Sequence, residues 1–97
     1  VLIGEVRVMT VRQWTVDIVI DEVEDERTTH AEARLRTDGE QLAGRGTAYR
    51  HPNDVEVPQI GDELAAARAL SELSHRLVLA AAQDIEEVTH RPPRLRG

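Results

Sequence analysis

Cysteine, lysine and phenylalanine are absent from this chain, and tryptophan and tyrosine occur once each. Without cysteine there is no disulfide framework, no thiol nucleophile and no zinc site built on thiolates, a composition that fits a reducing cytoplasm. Without lysine there is no Schiff-base chemistry and no P-loop, whose phosphate contact needs that residue. The twelve basic residues are all arginine, set against eighteen acids for a net charge of −6. That sign is opposite to the footprint that counterion release demands of a nucleic-acid binder. Long apolar runs are missing as well. None approaches the ~20 residues of a membrane span, and Val1–Val8 lacks both the charged start and the continuous apolar centre of a secretory signal. A soluble cytoplasmic protein is expected.

A chain of 97 residues holds one domain around one small core. Trp14, Val16, Ile18 and Ile20 alternate with Thr15, Asp17, Val19 and Asp21, the period of a half-buried strand. Thr28 to Thr37 repeats the pattern, with Ala31, Ala33 and Leu35 inward and His30, Glu32, Arg34 and Arg36 outward. Asp38-Gly39 is the pair that a two-residue type I′ hairpin favours, because both central residues need positive φ. Counting outward sets Leu35 against Leu42, Ala33 against Gly44 and Ala31 against Gly46, with Glu32 facing Arg45 on the other side. The third strand, Gln41 to Arg50, then turns an inner face almost free of side chains toward the core. Gly44 and Gly46 suit a helix lying close on the sheet.

After the turn-forming stretch His51–Gln59 the spacing predicts a helix capped by Asp62. Its apolar stripe is expected to comprise Leu64, Ala67, Leu70, Leu73, Leu77, Val78, Ala81, Ile85 and Val88. Unbroken to Val88, such a helix would be ~40 Å long, against ~27 Å for an eight-residue strand. Asp84 and Glu87 have capping-box spacing, so a break near Ala82 and a short final helix are expected. The fold class is thus α+β, a three-stranded antiparallel meander with a long C-terminal helix on one sheet face. Residues 1–12 read as an N-terminal arm, flexible or forming an edge strand, residues 13–90 as the domain and 91–97 as a basic tail. Met9-Thr10 reads as a translation start, which makes Val1–Val8 an upstream extension.

Glu72 with His75, and Glu87 with His90, match the Glu-x-x-His spacing of di-iron bundles. One helical face cannot supply the remaining carboxylates, and a solvated face has the same composition. "DEVEDE", residues 21–26, holds five acids but lacks the alternation and central glycine of a calcium loop. Ser71 and Ser74 lie near His75 with no third group to orient a base. No catalytic residue, metal or cofactor is therefore expected. The candidate interaction residues are Val19, Arg34, Arg36, Arg45, Tyr49 and Leu79, with Arg91, Arg94 and Arg96 as the tail a nucleic acid would use.

The meander followed by a helix that opens "GDELAAARAL" resembles a family of small actinobacterial proteins, a domain of unknown function with a dsRBD-like fold. The similarity runs from about Trp14 to about Pro92 and includes "IGDELAAARALSEL" and "DIEEVTHRP". It implies a fold, since that family carries no established activity. In double-stranded RNA binders of this fold, contacts come from a first helix, the loop after the first strand and lysines opening the last helix. Here too few residues precede Trp14 for a first helix, the loop is "DEVEDE", and Asp62 and Glu63 open the helix. Carboxylates at those places repel phosphate. The expectation is a non-enzymatic domain acting by association, with a homodimer favoured because open strand edges and an overhanging helix invite a second copy. Nucleic-acid binding through the arginine tail, and an enzyme or metal site formed between subunits, are the alternatives.

Overall fold

A computed structural model, described for residues 9–23, 26–51, 55 and 57–90, contains β1 (Thr15–Val23), β2 (Thr28–Arg36), β3 (Gln41–Tyr49) and α1 (Pro58–Thr89). The strands form one antiparallel sheet in the order β1-β2-β3. Its register is the one the alternation requires: Leu35 pairs with Leu42, Ala33 with Gly44, Ala31 with Gly46 and Glu32 with Arg45. The hairpin reaches that register without a type I′ turn. Among the described residues only Arg27 and His90 have positive φ, so neither Asp38 nor Gly39 takes the left-handed conformation. The Thr37 side chain supplies what the turn lacks. Its Oγ1 accepts the Glu40 N–H at 3.2 Å, while the Thr37 N–H donates to the Glu40 carbonyl at 2.9 Å.

The helix lies over β2 and β3 and barely reaches β1. Its contact with β3 is backbone on backbone. A Cβ placed on Gly44 would collide with the main chain of Ala69 and Leu73, and one on Gly46 with the main chain of Ala65 and Ala69. Because β3 offers no side chains there, the helix must turn its smallest residues to the sheet. The buried helical residues are accordingly Ala65, Ala69 and Leu73. This corrects the expected stripe: Leu64, Ala67, Leu70, Val78, Ala81, Ile85 and Val88 are exposed, and Leu77 is only partly covered. Apart from Leu73, the helix offers alanine to the interface set by glycine.

Two further expectations on the helix are corrected. It begins at Pro58, with Val57 as N-cap and no side-chain capping bond, so Asp62 lies inside it. Proline is pre-organised for the first helical position and loses nothing there by lacking an N–H. Nor is the helix broken near Ala82. It runs 32 residues to Thr89, about 48 Å, against about 30 Å for the nine-residue strands. Ala80, Ala81 and Ala82 are strong helix formers, and the overhanging turns need no sheet beneath them. Termination comes at His90, whose φ of 56° and N–H bond to the Glu86 carbonyl make an αL cap.

The resulting core is thin. It consists of Ala31, Ala33, Leu35, Ala48, Ala65, Ala69 and Leu73, five of the seven being alanine. The expected half-burial of the first strand is not found: every residue of β1 is exposed. Val16, Ile18 and Ile20 share the helix-facing side with Leu35, Ala33 and Ala31, but the helix makes only sparse contact with their strand. Val1–Val8 and the arginine tail lie outside the described residues.

Candidate interaction surface

Three surfaces gather functional side chains. The first is the uncovered inner side of β1. Arg68 Nη1 donates to the Thr47 carbonyl at 2.7 Å, which holds one flank of α1 over β3. Leu70, Leu77 and Ala81 lie on the opposite flank by helical spacing, the side that looks toward β1. Trp14, just before β1, lines with Leu77 and Ala81 an apolar hollow of about 280 Å³ under the overhanging helix. Val16, Ile18 and Ile20, each about two-fifths exposed, continue this strip along the strand. Among the described residues β1 pairs only with β2, which leaves its other edge open.

The second surface is the outer sheet face, where most of the candidate residues chosen from sequence fall. Glu32 is its hub. It accepts a bond from Arg34 Nε and another from Arg45 Nε at 3.0 Å. The hydrogen bonds from Arg34 and then Arg45 hold the Glu32 carboxyl below the usual carboxylate range. His30 Nδ1 lies 3.2 Å from Thr47 Oγ1. Val19, Asp21, His30, Glu32, Arg34 and Arg45 together line a shallow depression. Glu32 thus pairs with both arginines and offsets part of their charge, an exposed arrangement that contributes little to stability. Arg36 and Tyr49 lie at opposite ends of this face, Arg36 paired with Gln41 and Tyr49 with Thr28. They do not join the cluster. Leu79 lies three helical turns from Arg68, on the β3 flank of α1, and does not converge with Val19.

The third surface is a cavity at the N-terminal end of α1 that sequence inspection did not single out. Its walls come from all four elements and from the connection before the helix. The available signal was Gly61: a Cβ there would sit 2.9 Å from Thr29 Oγ1, so the glycine lets helix and sheet meet at the cavity floor. The Glu-x-x-His pairs contribute no metal geometry. Glu72 pairs with Arg76 at 3.3 Å, and among the described residues no three His, Asp or Glu side chains form a metal-holding group. No described helix is long and apolar enough to cross a membrane.

Comparison with known proteins places this architecture. A family model described as Rv2632c-like matches residues 12–94. The chain is 52% identical over 84 residues to the uncharacterized protein Mb1767 of Mycobacterium bovis, covering 87% of each chain. It is 51% identical over 77 residues to the uncharacterized protein Rv2632c of Mycobacterium tuberculosis, covering 79% of this chain and 81% of that one. The crystal structure of Rv2632c superposes with a TM-score of 0.76 at 43% identity, over 87% of this chain and 98% of the other. The chain belongs to the Rv2632c-like family of uncharacterised proteins.

Proposed function

We propose that this protein is a non-enzymatic association domain of the cytoplasm whose partner is a second copy of itself, docked through β1 and the adjoining helix flank. The observation that carries the reading is β1, a nine-residue strand exposed along its whole length whose outer edge is open among the described residues. Isolated proteins protect such edges with proline, bulges or inward charges. Here the helix-facing positions Val16, Ile18 and Ile20 are aliphatic.

The strand is self-complementary. Antiparallel pairing of two β1 strands about a two-fold axis at Ile18 sets Val16 of one copy against Ile20 of the other and Asp17 against Val19. A two-fold at Val19 would instead oppose Asp17 and Asp21, which like-charge repulsion disfavours. The first arrangement joins both inner strips under the two helices and adds apolar burial to the alanine-rich core. We read the β-β-β-α order as dsRBD-like architecture put to this use and not to RNA binding, since the open strand carries Asp17 and Asp21.

Sedimentation across a concentration series tests the reading on residues 9–89, which lack both ends. A dimer is expected, and Ile18→Glu should dissociate it. In an isolated monomer the same substitution falls at a solvent-exposed position and changes stability by about 0.5 kcal/mol or less. A chain that stays monomeric over the whole series overturns the proposal.

A further inference from the structure

Asp38 is the one acid in the chain that glycine follows. An aspartate carboxyl carbon and the amide nitrogen of the next residue can close a five-membered ring, and the closure is easiest where that next residue has no Cβ to obstruct it. The other described aspartates lack this opening. Asp17 and Asp84 precede isoleucine, and Asp21 and Asp62 precede glutamate. Inside α1 the N–H groups of Glu63 and Ile85 are also committed to the helical ladder.

At the β2–β3 turn neither restraint operates. Asp38 and Gly39 are both exposed. The bonds that close the hairpin pass from Thr37 to Glu40 and leave the two central residues out: the Thr37 N–H donates to the Glu40 carbonyl at 2.9 Å, and the Glu40 N–H donates to Thr37 Oγ1 at 3.2 Å. Among the described residues no hydrogen-bond partner holds the Gly39 N–H or the Asp38 carboxyl group. We infer that this turn is a self-modification site, at which Asp38 converts to isoaspartate through a cyclic succinimide. The Gly39 nitrogen attacks Cγ of the protonated Asp38 carboxyl group and forms a C–N bond. The nitrogen gives up its proton, and one carboxyl oxygen departs as water. Water then adds to either ring carbonyl and breaks its bond to nitrogen, with no oxidation or reduction. Opening at Cγ returns aspartate. Opening at the main-chain carbonyl leaves the backbone running through Cβ and Cγ, one methylene longer, between Thr37 and Glu40. That two-residue span adjoins the Leu35–Leu42 pair and fixes its register.

The test holds the full chain for weeks near neutral pH at body temperature and maps it by electron-transfer mass spectrometry, with an isoaspartate-specific methyltransferase as an independent count of product. Isoaspartate should accumulate at Asp38 ahead of Asp17, Asp21, Asp62 and Asp84, preceded by a species lighter by one water. Gly39→Ala leaves the fold undisturbed, since a Cβ there meets nothing within 4 Å and φ is not positive. It should slow conversion by about tenfold, equivalent to roughly 1.4 kcal/mol on the barrier. Asp38→Asn should reach the same product faster, with ammonia leaving in place of water, and Asp38→Glu should give none, because its ring would need six members. Absence of isoaspartate at Asp38, equal accumulation at the other four aspartates, or conversion undiminished by Gly39→Ala would each overturn the inference.

Discussion

Val16 and Leu35 are paired across adjacent strands and point to the same side of the sheet, yet Leu35 is 2% exposed and Val16 is 37% exposed. The difference lies above them. Over β2 and β3 the helix has been drawn down to backbone contact by Gly44 and Gly46, and what is near it is sealed. Over β1 the described residues give little cover, although the side chains are larger and more apolar. Burial in this fold is thus decided by how closely the helix can approach, and the small residues have captured it.

Several substitutions sharpen or break that contrast. The largest effect is expected for Leu35→Ala, about 2–5 kcal/mol, whereas Val16→Ala at the paired position should cost roughly 1 kcal/mol or less in dilute solution. Chemical denaturation at low and high protein concentration checks both. A Val16→Ala cost that grows with concentration indicates that a second copy covers β1, and equal costs at the two positions would erase the contrast.

Gly44→Ala should follow, at about 1–3 kcal/mol from overpacking, since the added methyl meets main chain on the helix and has no side chain to displace. An unchanged unfolding midpoint would mean that the helix does not rest on β3. The smallest effect concerns the outer face. Arg34 and Arg45 depress the Glu32 pKa in the folded state, so protonation favours unfolding. Their contribution is complete above the ordinary carboxylate range and is lost as pH falls through the depressed value. Glu32→Gln should remove that part of the acid dependence, seen as a shallower loss of stability in acid and little change of the midpoint at neutral pH.

The strand pairing was legible because three signals agreed: alternation in β2, a short turn between Thr37 and Glu40, and opposite charges at Glu32 and Arg45. The turn type was misread, since Asp38-Gly39 suits a type I′ turn and the Thr37 hydroxyl made one unnecessary. The helix was legible as a helix but not in its rotation. Leucines and valines repeated at helical spacing and suggested the buried side, while the glycine-lined face of β3 already required alanine opposite it. Ala65 and Ala69, four residues apart, were the matching signal. For the interaction surface, alternation in β1 identifies an apolar side and carries no information on what covers it. The cavity was hidden because its residues come from four separate stretches of chain.

A core made chiefly of alanine against glycine has a thermal consequence. The heat capacity of unfolding grows with the apolar area exposed, and these residues carry little of it. The isolated chain should therefore fall below the usual ~12–15 cal/mol/K per residue, giving a broad, flat stability curve in which cooling and moderate warming change the folded population very little.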